Sequence, residues 1–297
     1  MSILRVIISI LLLLSSNCFA EIFNHEMGKV EFNKTPKKVV ALDWVMAETL
    51  LSLGVIPYAV ADSDGYRKWL QVPKLPDSVI NLGSRREPNL ELLSEIKPDL
   101  ILMSDQLAPV LPKLQVIAPT MVFTAYNNDK SPILKLNKIS LKLGRVLKKE
   151  KEAQNLVNKT EKVFTKNGKR LKGIGFNKEI LIVRFLDESH LRVHGENSLL
   201  GNVLKEMHLN NAWQSSTNQW GFSSISLEKL APLQKSFLVY LGPMSKSKKD
   251  LVFNTPIWNA LAFKRENRCH ELKTMWTFGG LESAQNFSNK LTQLFIK

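Results

Sequence analysis

Apolar positions along this chain fall into two alternating rhythms. Lys38 to Leu42 (KVVAL) is a short β-branched run, and in the following VMAETLLSLG the residues Ala47, Leu50, Leu51 and Gly54 mark a helix face closed by glycine. VIPYAVAD returns to strand, SVINLG is another strand, and Asn89 is placed to cap a helix over LELLSEI that Pro98 ends. DLILMS and a run near Met121 to Phe123 complete the series. Strands alternating with short helices predict an α/β lobe around a largely parallel sheet.

From Ile133 to about Thr165 the spacing changes. Ile133, Leu136, Ile139, Leu143, Val146, Leu147, Ala153, Leu156, Val157 and Val163 recur every three or four residues, with Gly144 the one irregular position. This predicts a single helix of roughly 30 residues, about 45 Å long. After Gly173 the alternation resumes with EILIVRF, LRVHG, SLLGNVLKEM, SFLVYLG and LKTMW, then a closing helix from about Glu282. The expected fold is α/β, with two α/β lobes around central, largely parallel sheets and one long spine helix joining them. The expected boundaries are 21–132 for the N-terminal lobe, 133–169 for the spine and 170–297 for the C-terminal lobe.

Residues 1–20 read differently. Arg5, an apolar run from Val6 to Leu14, and Cys18-Phe19-Ala20 form a secretory signal with cleavage after Ala20, too short to remain as a spanning helix. Acylation of Cys18 is the competing reading, and Ser15 and Asn17 suit that processing poorly. The chain is expected to be exported. With Cys18 removed, Cys269 stands alone, which excludes a disulfide framework and a cysteine zinc site.

The formal charge of +14 invites a nucleic-acid reading until its distribution is seen. Between Lys135 and Lys172 there are 13 Lys/Arg against 3 Asp/Glu, so most of the excess lies on one solvated helix face. Nucleic acid is not an expected partner.

The chain shows no G-x-S-x-G, P-loop or G-x-G-x-x-G in strand–turn–helix context. His190 and His194 are the best metal-like pair, but they flank a strand-like Leu-Arg-Val with no acidic third ligand nearby. Neither a metal site nor an enzyme is expected. Tryptophan is the informative residue type. Trp44, Trp69, Trp213 and Trp220 fall where the grammar predicts turns, and in open α/β sheets ligands bind at loops beyond the strands' carboxyl ends. Trp258, at the head of a helix in TPIWNALAF, reads instead as core.

These segments carry a resemblance. VVALDWVMAETLLSLG, NLGSRREPNLELLSEIKPDLILMS, NNAWQSSTNQWGFSSISLEKLA and TPIWNALAF resemble the periplasmic iron(III)-hydroxamate siderophore-binding proteins of ABC importers, from about residue 36 to the C-terminus. The resemblance implies two lobes joined by one long helix with a ligand cleft between them, no cofactor, and a ferric ion already wrapped by hydroxamate oxygens, so that the protein supplies no metal ligand. It also implies that Arg85 hydrogen-bonds those oxygens through its planar, permanently charged guanidinium. Arg86 reads as surface charge. Trp44, Trp69, Trp213, Trp220 and Trp276 are implied as aromatic walls and Asn218 as a polar contact.

The chain departs from the family where Leu107 and Phe278 stand in place of tyrosines and Phe222 in place of a serine. Each change removes a hydroxyl, and Tyr66 and Tyr126 are the candidates to compensate. These losses leave room for another iron chelate or cobalamin as the cargo. The implied partners are the chelate, an inner-membrane permease and its ATPase. Glu228 is the expected docking residue on the second lobe; on the first, the matching loop offers Pro112, with Asp105 as a substitute. The chain is expected to act as a monomer.

Overall fold

The computed structural model describes residues 20–127 and 131–296. Apart from Ala20, the expected signal, with Cys18, lies outside the described residues. The first lobe opens with a hairpin, β1 (Glu21–His25) and β2 (Gly28–Phe32). Its five-stranded sheet then runs β5 (Ile80–Asn81), β4 (Ala59–Val60), β3 (Val39–Ala41), β6 (Leu100–Ser104) and β7 (Thr120–Phe123), with every neighbour parallel. Helices α1 (Trp44–Ser52), α2 (Ser63–Trp69), α3 (Leu90–Ile96) and α4 (Leu111–Ile117) make the crossovers. Asn89 caps α3 through Leu92 N, as its sequence position predicts. The turn expected at Trp69 is instead the end of helix α2. Asp62 starts that helix from a left-handed backbone and accepts from Gly65 N.

The second sheet has the order β10 (Phe222–Ser226), β9 (His190–His194), β8 (Ile180–Phe185), β11 (Phe237–Leu241) and β12 (Cys269–Leu272). It is mixed rather than largely parallel: β9 runs antiparallel to both β8 and β10. Only four residues, 186–189, separate β8 from β9, too few for a crossover, so the strands close as a hairpin. Trp258 is core, 2% exposed in helix α9 (Pro256–Ala260).

The connection between lobes corrects the expectation of one uninterrupted helix. It is α5 (Pro132–Val146) followed by α6 (Glu150–Gly173). Lys149 N donates to Gly144 O and Lys148 N to Arg145 O, with Lys148 at φ 54°, the hydrogen-bond pattern that ends helices through a left-handed residue. The chain turns tightly enough that a Cβ on Gly144 would lie 2.6 Å from the Ala153 Cβ. Hydrophobic periodicity continues through the break because both helices bury their apolar faces in the same core. That core extends from Val39 and Leu102 in the first lobe through Leu143 and Leu156 to Val239 and Leu272 in the second. The C-terminal helix α11 (Leu281–Ile296) packs along α6.

Glu48 joins the lobes directly. It lies on α1 with no exposed surface, and it accepts hydrogen bonds from Gly280 N, Ser283 N and Ser283 Oγ, each at 2.7 Å, at the start of α11. Tyr126 Oη donates across the same junction to Gly279 O at 2.5 Å. Burial raises the Glu48 pKa from 4.5 to about 7, although its hydrogen bonds oppose the shift.

Two outcomes are expected. Gly144→Ala forces a methyl against Ala153 and should lower urea-denaturation stability by about 1–3 kcal/mol. The elevated Glu48 pKa means that its stabilising contribution is complete below 4.5 and is lost as the pH rises through about 7, because the folded chain must then bury the ionised form. Thermal melting of wild type against Glu48→Gln from pH 5 to 8 should show the wild type losing ground, by roughly 2–3 kcal/mol at most. A constant difference would contradict the assignment.

Candidate functional site

Loops at the carboxyl ends of β3, β5, β6 and β7 face the second lobe across a cleft of about 940 Å³. This is where an open parallel sheet presents its ligand-binding loops. From the first lobe come Asp43 and Trp44 after β3, Ser84, Arg85 and Arg86 after β5, Asp105 and Leu107 after β6, and Ala125 and Tyr126 after β7. From the second come Arg192, Trp220, Phe222, Trp276 and Phe278.

Arg85 is set within this frame. Its guanidinium carbon stands 3.7 Å from the centre of the Trp44 ring and 5.3 Å from that of Trp276, and its Nε is 3.4 Å from Asp62 Oδ2. Trp44 is fixed in turn, because its Nε1 donates to Ala61 O and Asp62 O. Arg85 is thus half-buried and stacked on one tryptophan, yet its guanidinium makes no hydrogen bond among the described residues. Stacking holds the planar fork while leaving its edge free for acceptors. Arg86 also lines the cleft, but it is exposed and lacks this support.

The aromatic wall is continuous. Trp276 lies 4.7 Å from Trp44 and 5.8 Å from Phe278, and Phe278 lies 5.3 Å from Trp220, 5.8 Å from Tyr126 and 6.2 Å from Phe222. Of the residues singled out from sequence, Arg85, Trp44, Trp220, Trp276, Phe278, Phe222 and Leu107 meet on the lining. Three others do not reach it. Trp69 stands behind Trp276 at 6.3 Å, at the end of α2. Trp213 lies against the Gly195 backbone, its N held by Asn211 Oδ1. Asn218 turns inward to its own loop, where Oδ1 accepts from Trp220 N and Phe222 N; it sets the position of two wall residues.

The compensating hydroxyls also separate. Tyr66 is fully buried and donates to Pro73 O, away from the cleft, whereas Tyr126 lines the cleft with its proton committed to Gly279 O. Asp105 lines the cleft. Glu228 is exposed in the first turn of the 3₁₀ segment Leu227–Leu233 of the second lobe, and a hydrogen bond from Ser226 holds its pKa down.

Two charged residues went unmarked in the sequence. Arg184 on β8 and Arg192 on β9 are direct partners in the hairpin register, and Arg192 reaches the cleft. Their signal is there in IVRF and HLRVH, but it appears only once the two strands are paired. Buried His194 shares their sheet face. Its pKa falls to about 3, first through burial and then through Arg184 and Arg192, so it is neutral. Among the described residues no group of three His, Cys, Asp or Glu is arranged to hold a metal ion, and no helix is long and apolar enough to cross a membrane.

Comparison with known proteins agrees with this geometry. The chain is 34% identical over 259 residues to the iron(3+)-hydroxamate-binding protein FhuD of Escherichia coli, covering 85% of this chain and 84% of that protein. It is 25% identical over 272 residues to the Fe(3+)-citrate-binding protein YfmC of Bacillus subtilis, covering 90% and 83% respectively. The crystal structure of the siderophore-binding protein FhuD of Vibrio cholerae with Fe³⁺-Desferal superposes with a TM-score of 0.83 at 26% identity, over 88% of this chain and 98% of that one. Residues 39–274 match the model of the periplasmic binding proteins, and the chain belongs to that family.

Proposed function

We propose that the protein is a periplasmic receptor for ferric hydroxamate siderophores that delivers them to an inner-membrane ABC transporter, without catalysis of its own. The observation that carries this reading is the Arg85 guanidinium stacked on Trp44 at the edge of an aromatic cleft between the lobes. Hydroxamate oxygens around ferric iron are electron-rich acceptors, and a fixed guanidinium in a half-buried site suits them. Ferric iron is hard and takes oxygen donors, all supplied by the chelator, so the cleft needs shape and donors rather than metal ligands. Broad rings cover the carbon skeleton without requiring one shape. The similarity to FhuD of Escherichia coli over most of both chains supports the same cargo class.

On this reading residues 1–20 direct export, 21–132 and 170–297 are the two lobes, and 133–169 is the helical link. The receptor acts as a monomer. Glu228 is our candidate for docking on the permease from the second lobe, where its carboxylate is exposed.

Titration of the protein with a ferric trihydroxamate should quench tryptophan fluorescence at micromolar ligand or below, corresponding to about −8 kcal/mol or better. Arg85→Ala should weaken that binding by at least about 1.5 kcal/mol, as for a hydrogen bond to a charged group, while Arg86→Ala changes little. A response to catecholates or corrinoids but to no hydroxamate would overturn the cargo class, and equal losses from the two variants would remove the distinction between the arginines.

A further inference from the structure

The second-lobe wall of the cleft carries charge of one sign. Arg192 lines it among aromatic rings, and among the described residues no carboxylate of that lobe joins it there. The carboxylates that do line the cleft, Asp43, Asp62 and Asp105, all belong to the first lobe. Each is already engaged: Asp43 accepts from Val45 N, Asp62 accepts from Gly65 N and faces Arg85, and Asp105 takes a hydrogen bond from the Thr124 side chain.

Arg192 makes no hydrogen bond or ion pair through its guanidinium among the described residues, and its Nε is buried without a partner. Its guanidinium carbon stands 4.6 Å from the centroid of the Phe222 ring. The strand register aggravates this position. Arg192 stands opposite Arg184 on β8 and opposite Ser224 on β10. Like charges directly opposite in a ladder oppose each other, and an unpaired half-buried guanidinium adds a desolvation cost. Arg184 is partly relieved, by one hydrogen bond from Nη2 to Met275 O at 2.8 Å and by the Trp69 ring, whose centroid lies 5.7 Å from its guanidinium carbon. A leucine at position 192 would extend the apolar wall without either penalty.

A planar oxyanion bound in the cleft removes both costs, because a carboxylate accepts from the two-pronged guanidinium and screens it from its neighbour. We infer that Arg192, backed by Arg184, forms an anionic subsite on the second-lobe wall, so that the preferred cargo is a ferric hydroxamate that also carries a carboxylate. The inference rests on the hydroxamate reading above and narrows it. Arg85 engages the oxygens around iron from the first lobe, and Arg192 engages the acidic arm from the second.

The ferric complexes of N-acetyl- and N-succinyl-desferrioxamine test this, since they share one iron coordination and differ by a terminal carboxylate. Fluorescence titration of the full chain should show the succinyl complex bound at least about tenfold more tightly. Arg192→Leu should bring the two affinities within about twofold of each other, chiefly by loss of the succinyl complex, and Arg192→Gln should do the same. Lys166→Gln, on the exposed face of α6, controls for the overall positive charge and should leave the preference intact. Equal affinities in the wild type, a preference that survives both Arg192 variants, or an equal loss in Lys166→Gln would overturn the subsite while leaving the hydroxamate reading in place. Failure to bind either complex would refute that reading, and this one with it.

Discussion

The Glu48 carboxylate is the contact on which the cleft depends. It belongs to a first-lobe helix, yet its hydrogen-bond donors lie at the start of the C-terminal helix. A helix N-terminus presents unpaired N–H groups and a positive dipole end, so these donors fix the Glu48 oxygens in place and oppose the rise that burial imposes on its pKa. Trp44 is one turn before Glu48 on α1 and shares its face, while Trp276 and Phe278 lie just ahead of the Gly279–Gly280 pair that Glu48 and Tyr126 hold. One buried junction therefore sets the contact of Trp44 with Trp276, and with it the seat of Arg85 between them.

This junction acts together with the continuous core. Two lobes that met only through a flexible linker would exchange cleft surface for solvent whenever the linker bent. Here α5, α6 and α11 bury apolar residues in one core that also takes residues from both sheets, and Gly168 lets α6 approach the backbone of Met207 so closely that a Cβ would lie 2.3 Å from its carbonyl oxygen. Opening the lobes would break packed side chains and expose Glu48. The cleft is consequently formed before any ligand arrives, and binding energy is not drawn upon to close it.

Much of the fold was legible because its signals are local. Strand and helix periods, Asn89 as a cap and the burial of Trp258 follow from neighbouring residues. The break after Val146 was hidden because Lys148, not glycine, takes the left-handed position while the apolar period runs on through both helices. Glu48 sat unnoticed in a leucine-rich helix because its partners are 232 and 235 residues away. The tryptophans announced an aromatic site, but period and composition cannot layer it: Trp44, Trp220 and Trp276 line the cleft, whereas Trp69 supports Trp276 from behind. The Arg184–Arg192 pair required the hairpin register, a long-range fact that neither strand states alone.

Buried donors without acceptors are rare because each forfeits a hydrogen bond that water would have provided. Arg192 Nε and Trp276 Nε1 are two such atoms on the cleft, and Arg85 Nε, which faces Asp62 Oδ2 at 3.4 Å, makes no hydrogen bond there either. Sites built this way hold their donors in place through stacking and burial, so the cost of ordering them is met in folding rather than in binding. A neutral hydrocarbon ligand would leave those donors unpaired. An oxygen-rich chelate would satisfy them while its carbon skeleton covers the rings, which is why the same wall can combine apolar breadth with selectivity for charge.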